Sequence, residues 1–164
     1  MIARRLKSSA ELKICLDIST STSLGFIVPE FGVDWKTVAV SLGKLASGTF
    51  FRVLEHNGEI VGWISANITR PAYYSKKTAL QLDFYHCKLK GYAAVTALRV
   101  AHESLAEAAT QLRSVSLAIT TPCPHTPECF NKILEKDGWV DYGSMLLKEV
   151  SFEVGLNRTR KIPS

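Results

Sequence analysis

The spacing of apolar residues changes once, in the middle of the chain. Between residues 80 and 85 apolar and polar positions alternate, which predicts a strand whose buried face carries Leu80, Leu82 and Phe84. From Gly91 onward the apolar residues recur at helical spacing, at Val95, Leu98, Ala101, Leu105 and Ala108. We therefore expect a strand that runs into a long helix. His102 and Glu103 fall on the polar side of this helix and are expected to face solvent.

Two shorter helices are predicted upstream of this strand. The first covers residues 10–18 after a serine N-cap, and the serine and threonine run at residues 19–23 is expected to end it. The second covers residues 35–46, with Asp34 as its N-cap. Between them, Pro29 interrupts an apolar stretch and favours a packed loop over a central strand.

The remaining patterns predict short strands and one more helix. Strands over residues 50–54 and 60–68 meet at Asn57-Gly58, the commonest two-residue hairpin signal. A short strand over residues 3–7 precedes them, and a loop over residues 70–77 follows. Later segments predict a strand (114–120), a proline-rich loop, a helix (128–136) ended by Gly138, and two strands (139–142 and 144–154). Because the long helix joins two strands that must be parallel, this order predicts an α/β (α+β) fold with a mixed sheet and helices on both faces.

Positive charge is concentrated at the two ends of the chain. The net charge is +5, from 20 Lys and Arg against 15 Asp and Glu. Residues 8–157 carry a net charge of only 5 − 6 = −1, because six positive charges lie at Arg4, Arg5, Lys7, Arg158, Arg160 and Lys161. We expect a single domain over residues 1–157 and a basic C-terminal tail over residues 158–164. Both basic ends are expected to be solvated, since no aromatic residues lie among these charges to stack on bases. Contact with nucleic acid or an acidic protein surface is the alternative.

The cysteines and the hydropathy limit the class of protein. The four cysteines form no C-x-x-C pair, and the spacing of Cys123, His125 and Cys129 matches no usual zinc module. Free thiols and no metal site are therefore expected. No apolar run approaches the ~18 residues of a membrane span, and no apolar segment follows the basic N-terminus as in a signal peptide. We expect a soluble, cytoplasmic protein without membrane contact.

The connection between the predicted strand and the long helix is a candidate anion site. Gly91 and Ala93 give the backbone little side-chain cover, so the amides that open the helix are expected to point outward beside Lys88 and Lys90. The alternative is an ordinary turn, because a glycine between a strand and a helix is most often only a turn residue.

This connection resembles a motif of the GCN5-related N-acetyltransferases (GNAT family). Lys88-x-x-Gly91-x-Ala93 is similar to the Arg/Gln-x-x-Gly-x-Gly/Ala loop that holds the pyrophosphate of acetyl-CoA in that family. Residues 130–139 resemble its later helix, Gly-Phe and strand segment, with Trp139 in place of Phe. The resemblance covers residues 49–150. It implies a mostly antiparallel central sheet of about six to seven strands, and an acceptor groove flanked by the two upstream helices.

The resemblance also implies a cofactor and site residues. Acetyl-CoA would be the cofactor, with its pyrophosphate on the backbone of Lys88, Lys90, Gly91, Tyr92, Ala93 and Ala94. The backbone of Phe84 and Tyr85 would hold the pantetheine and the thioester carbonyl. Deprotonation of the amine substrate needs a base near the splayed end of the fourth strand, where Asp83, Tyr85 and His86 are the candidates. Asp83 is an unusual residue in an apolar strand; the alternative is that it pairs with a lysine or lies at a bulge.

Two positions depart from the family pattern. The places of its usual asparagine and tyrosine are held by Pro127 and Leu134, and leucine cannot protonate a leaving thiolate. Two hypotheses follow. In the first, the chain is an acetyl-CoA-dependent N-acyltransferase of an unidentified amine. In the second, the GNAT fold is a non-catalytic scaffold within a larger assembly, such as a bacteriophage particle, where the protein would be found in the virion. The compact domain and basic ends resemble phage-encoded GNAT-type proteins, and a homo-oligomer is possible under either hypothesis.

Overall fold

A seven-stranded sheet forms the centre of the molecule. The computed structural model describes residues 1–23, 34–70, 78–112, 115, 117–120, 128–141 and 146–149. In chain order the elements are β1 (Ile2–Arg4), α1 (Ala10–Ser23), α2 (Trp35–Ala46), β2 (Phe50–His56), β3 (Glu59–Thr69), β4 (Ala79–Cys87), α3 (Gly91–Gln111), β5 (Leu117–Thr120), α4 (Glu128–Lys136), β6 (Val140–Asp141) and β7 (Leu146–Glu149). None of these helices is long and apolar enough to cross a membrane.

The sheet is mixed and mostly antiparallel, as expected. Its strand order is β1-β2-β3-β4-β5-β7-β6. β4 and β5 are parallel neighbours joined by α3, and the other neighbouring strands pair in antiparallel fashion. A parallel pair needs a long crossover connection, and α3 provides it.

Each face of the sheet has its own apolar core. On one face α3 and α4 cover a cluster that includes Leu54, Ile64, Leu80 and Leu105. On the other face α1 and α2 cover a smaller cluster that includes Cys15, Leu42, Phe51, Val53 and Trp63. The predicted arrangement of helices on both faces is therefore confirmed.

The turns and caps with the strongest local sequence signals are formed as predicted. Asn57 and Gly58 both have positive φ, 53° and 83°, as the tight β2–β3 hairpin requires. The Asp34 carboxylate accepts hydrogen bonds from the N–H groups of Lys36 and Thr37 at the start of α2. Gly138, with φ of 86°, ends α4 in a Schellman motif in which the Trp139 N–H donates to the Leu134 carbonyl.

The predicted end of α1 is wrong. The helix continues through the serine and threonine run to Ser23, instead of stopping at residue 18. The hydroxyls of Ser19 and Thr20 donate to the carbonyls of Cys15 and Leu16, one turn earlier, at 2.9 and 2.8 Å. These residues usually favour caps and turns because their hydroxyls compete for backbone partners, but bonds back along the helix satisfy them without ending it.

The predicted alternation of side chains along β4 is also wrong in its second half. The β3–β4 register pairs Ala66 with Leu82 and Ser65 with Phe84, so Asp83 is an extra residue in a β-bulge. A bulge moves the following side chains to the opposite faces of the sheet. Phe84 therefore leaves the α3 face, where it would have followed Leu82, and is 48% exposed. Tyr85 packs against the α3 core in its place.

The N-terminal basic segment is not a solvated tail. Residues 2–4 form edge strand β1, which pairs with β2. The Arg4 guanidinium forms ion pairs with Glu55 and, at 2.8 Å, with Glu11. This ion pair with Arg4 holds the pKa of Glu11 at about 2. The side chains of Arg5 and Lys7 remain exposed.

Several predictions fall outside the described residues. These are the loops over residues 25–32 and 71–77, the proline-rich loop at residues 121–127, the end of the last strand, the domain boundary at residue 157 and the basic tail. Cys15 and Cys87 are free thiols, as expected. Cys123, His125 and the side chain of Cys129 are not among the described groups, and the groups that are described include no cluster of three or more potential metal ligands.

Candidate active site

The first turn of α3 presents uncapped backbone amides. Lys90 is the N-cap in an extended conformation, and no side chain caps the helix. The first four N–H groups of an α-helix have no partner inside it, so those of residues 90–93 are open to a ligand, whereas the predicted Ala94 N–H makes the first bond within the helix, to the Lys90 carbonyl. Gly91 has a φ of 59°, and a Cβ added there would meet nothing within 4 Å. The turn is therefore not filled by described side chains, and Tyr92 is 84% exposed.

The electrostatics of this turn favour an anion. The partial positive charge of a helix N-terminus favours negative groups, and the exposed side chains of Lys88 and Lys90 lie in the segment that leads into it. The N–H of Lys88 is not available, because it donates to the Val61 carbonyl at 2.9 Å. Lys88 can therefore contact an anion at this turn only through its side-chain ammonium group.

Beside this turn, one edge of β4 has no partner strand among the described residues. β5 pairs with β4 only through Ala79, Leu80 and Gln81. In the described part of the chain no strand pairs with the rest of β4 on that side. A ligand that carries amide or carbonyl groups can therefore bond to the β4 backbone as a further strand would.

The alternation of the antiparallel ladder decides which backbone groups face the open edge. Because Lys88 bonds to β3, the groups of His86 and Phe84 also point toward β3, and those of Tyr85 and Cys87 point the other way. Tyr85 thus offers the predicted free backbone groups. Those of Phe84 are used within the sheet.

The bulge brings Asp83 and Asn67 together on the α1/α2 face. The Asn67 side-chain amide donates to the Asp83 carboxylate. Partial burial raises the pKa of Asp83, and the Asn67 hydrogen bond opposes that rise. The alternative prediction that Asp83 lies at a bulge is confirmed, and its polar partner is an asparagine instead of a lysine.

His86 lies on the same face, in a row of aromatic rings. Its ring centroid is 4.8 Å from that of Trp63 and 6.4 Å from that of Phe84. Nδ1 lies 2.8 Å from the hydroxyl of Thr22, in the last turn of α1. Burial lowers the pKa of His86 to about 4, so the ring is neutral at pH 7. Sequence reasoning missed Asn67, Thr22 and Trp63, because only the strand pairing and the extended α1 bring them to β4.

Tyr85 does not join this group. Its side chain lies on the α3 face, with its ring centroid 6.1 Å from that of His102. Burial raises the pKa of the phenol, so Tyr85 stays protonated and cannot act as a base near neutral pH. The two predicted catalytic side chains, Asp83 and Tyr85, therefore lie on opposite faces of the sheet.

The prediction that His102 faces solvent is wrong, while Glu103 is exposed as expected. His102 is 3% exposed and packs edge-on against Trp139, with ring centroids 5.5 Å apart. It follows Leu98 by four residues and Ala101 by one, so its helical position already indicated the buried face. Leu134, which stands at the family's tyrosine position, is buried in the same core.

Solved structures with a similar fold include several acetyltransferases. A ribosomal-protein-alanine N-acetyltransferase from Brucella melitensis is 18% identical, with a TM-score of 0.63 over 92% of this chain and all of that one. An aminoglycoside 6'-acetyltransferase type Ii is 15% identical, with a TM-score of 0.63 over 91% of this chain and 97% of that one. A GNAT-family acetyltransferase from Streptococcus pneumoniae is 13% identical, with a TM-score of 0.61 over 92% and 99%.

The sequence itself is more distant from known proteins. No protein-family model matches it, and no curated protein is significantly similar to it. At these identities the structural similarity concerns the arrangement of the backbone. The chain therefore has the fold of the GNAT acetyltransferases.

Proposed function

We propose that this protein is an acetyl-CoA-dependent N-acetyltransferase that acts on an amine. One observation carries the proposal: the uncapped first turn of α3 lies next to an open edge of β4. A turn that favours anions, next to a strand with unpaired backbone N–H and C=O groups, suits a ligand with a diphosphate at one end and amides along its length.

The backbone N–H groups of residues 90–93 would hold the pyrophosphate. The uncapped amides and the helix dipole favour it, and Gly91 leaves room for phosphate oxygens to approach. The ammonium groups of Lys88 and Lys90 would add charge-assisted contacts. Bound acetyl-CoA would supply the acetyl group as a thioester.

The backbone of Tyr85 would orient the other end of the ligand. Its N–H and C=O face the open edge, so they can bond to an amide or to the thioester carbonyl. A backbone N–H at that carbonyl would stabilise the negative charge that develops on the oxygen during acyl transfer.

Asp83 is the side chain best suited to accept a proton from the amine. Among the described residues its carboxylate has one partner, Asn67, and its raised pKa makes it a stronger base than an ordinary aspartate. The Tyr85 phenol cannot accept this proton, because it remains protonated itself. Leu134 has no proton to give to the leaving thiolate. With leucine at position 134, the leaving thiolate would take its proton from solvent.

A thermal shift measurement tests the coenzyme site. Acetyl-CoA at 100 times its dissociation constant should add about 2.7 kcal/mol of stability and raise the melting temperature by about 5–10 °C. Gly91→Glu should abolish the shift, since it places a carboxylate at the anion site.

Gly58→Glu is the matched control. Gly58 also has positive φ and open space around it, so the backbone strain and the added charge are comparable, but it lies in the β2–β3 turn. This variant should keep the full shift. An unchanged response of Gly91→Glu, or no response of the wild type, would contradict the proposal, and the second result would favour a scaffold.

A further inference from the structure

Two arginines face each other at the end of the β1–β2 ladder. The register pairs Ile2 with Glu55 and Arg4 with Val53, so its next position sets Arg5 across from Arg52. Both residues line a pocket of about 370 Å³ together with Gly48, Thr49 and Phe51. Like charges directly opposite each other on neighbouring strands destabilise a sheet.

Neither guanidinium has a carboxylate partner among the described residues. The nearby carboxylates of Glu11 and Glu55 pair with Arg4, and Glu55 also lies 4.0 Å from Lys7. The Arg52 guanidinium donates to the Phe51 carbonyl at 2.8 Å and stacks 4.8 Å from the centre of the Phe50 ring. Partial burial, and then the charge of Arg5, lower the pKa of Arg52.

Three carbonyls at the end of α2, which borders the pocket, are bonded locally: the Ser47 N–H donates to Gly43, the Ser47 hydroxyl to Lys44 and the Gly48 N–H to Leu45. Within the described part of the chain, the only side-chain hydrogen bond of the two arginines is the one from Arg52 to the Phe51 carbonyl, so both guanidinium groups have donors left for a ligand. A bound anion would relieve their repulsion, and guanidinium groups suit carboxylate or phosphate because they bond to two oxygens at once.

The pocket borders the candidate active site. A Cβ placed on Gly48 would lie 3.3 Å from Oδ1 of Asn67, and Asn67 donates to Asp83. Three strand spacings, about 14 Å, separate β1 from β4. Arg52 leaves β2 on the α3 face, over the Phe50 ring, so a molecule that reaches from Asp83 to the arginines has to pass the end of the sheet at Gly48 and Thr49. Such a molecule is extended, with its two functional groups about 10–15 Å apart.

We propose that the Arg5–Arg52 pocket binds a carboxylate or phosphate of the acceptor, about 10–15 Å from the amine that is acetylated. This proposal rests on the acetyltransferase function for the identity of the ligand. The pocket itself can be tested without acetyl-CoA.

Short peptides with a free N-terminus and an amidated C-terminus are suitable probes. Each would be an alanine peptide with a single glutamate at the second, third, fourth or fifth position, and a glutamine peptide would be the neutral match. Binding would be followed through the backbone amide signals of Gly48 and Thr49 in NMR titrations. At about 3.3 Å per residue, the fourth and fifth positions should bind best, and about 10-fold tighter than glutamine. A phosphoserine series would decide between carboxylate and phosphate.

Two variants make the test specific. Arg5→Gln and Arg52→Gln should each remove the preference for the acidic peptide. Arg5 is the cleaner change, because its side chain is exposed and Arg52 also packs on Phe50. Lys13→Gln removes the same charge from an exposed position on α1 and should keep the preference. Equal affinity for the acidic and neutral peptides, or an equal loss in Lys13→Gln, would overturn the proposal.

The acetyl-CoA response separates this proposal from the proposed function. Arg5→Gln should keep the full thermal shift with acetyl-CoA, and it should raise KM for acidic peptides without lowering kcat. If the wild type ignores acetyl-CoA but still prefers acidic peptides, the anion pocket stands and the acetyltransferase function fails. If it binds acetyl-CoA but shows no such preference, the acceptor proposal fails alone.

Discussion

At the scale of single residues, His102 shows how a polar side chain is kept in the core. Nδ1 lies 2.9 Å from the Leu98 carbonyl, which can only accept, so Nδ1 carries the proton. Burial lowers the pKa of His102 to about 4, so at pH 7 the ring is neutral. Nε2 then accepts from the Thr120 hydroxyl at 3.2 Å. The neutral ring therefore has a partner at each nitrogen.

This arrangement predicts a loss of stability in acid. The pKa of His102 is lower in the folded state, about 4, than the ordinary value of 6.5. Its stabilising contribution is therefore complete above about pH 6.5 and is lost as the pH falls toward 4. Between about pH 7.5 and about pH 5 we expect it to lower the free energy of unfolding by about 2 kcal/mol. Urea denaturation of wild type and His102→Gln would measure the difference, which should be smaller in the variant.

Thr120→Val is the control for this measurement. It removes one hydrogen bond but keeps the titrating ring, so the protein should be less stable at both pH values and retain its pH dependence. The lowered pKa of His86 adds a contribution of the same sign in all three proteins. Equal pH dependence in wild type and His102→Gln would contradict the assignment.

At the scale of elements, Trp63 joins α1 to the sheet. Its indole N–H bonds to the Cys15 carbonyl at 3.1 Å and the Ser19 hydroxyl at 3.0 Å. Its ring lies between Phe51 and His86, with centroids 5.2 and 4.8 Å away. One side chain thus fixes the position of the helix whose last turn contacts His86 through Thr22.

Trp63→Phe should therefore destabilise the protein by about 2–4 kcal/mol. The change removes the indole N–H, which two acceptors share. It also leaves a cavity in the core, because Trp63 is only 2% exposed. Chemical denaturation would measure this as a lower midpoint. Phe84→Leu, at the half-exposed end of the same aromatic row, should cost less than about 1 kcal/mol. Similar losses in both variants would contradict the role of the indole N–H.

Element prediction succeeded where the signal is local. Asn57-Gly58, Asp34 and Gly138 each act within a few residues, through their own φ angle or a nearby amide. It failed where a second segment decides the outcome. The bulge at Asp83 exists only relative to β3, and alternation along one strand cannot reveal an extra residue. The long α1 was missed because a serine and threonine run is compatible with either outcome.

At the scale of the whole molecule, the sequence predicted the layers and the turn before α3, but not how distant segments meet. The contact of Asn67 with Asp83 and the facing arginines follow from strand register, which no composition or spacing shows. The N-terminus is the clearest case. Its charge predicted a solvated end, whereas Arg4 is 16% exposed between Glu11 and Glu55.

Removal of residues 1–7 tests whether the N-terminal segment is part of the sheet or a solvated tail. The deletion removes β1 and both Arg4 ion pairs and exposes the edge of β2. We expect a lower melting temperature and concentration-dependent association through the free edge. Calorimetry and light scattering would measure the two effects. A truncated protein with unchanged melting and a monomeric state would indicate that the segment is a tail after all.

The bulge in β4 places a carboxylate at a position that the pairing of the strands does not use. Asp83 is the extra residue between the Ala66–Leu82 and Ser65–Phe84 pairs, so its deletion would restore regular alternation and leave the residues from Phe84 to Cys87 on their present faces. A change that removed the bulge without shortening the strand would instead turn Phe84 toward α3 and His86 away from Thr22. Loss of Asp83 would therefore remove the proposed base and preserve the sheet.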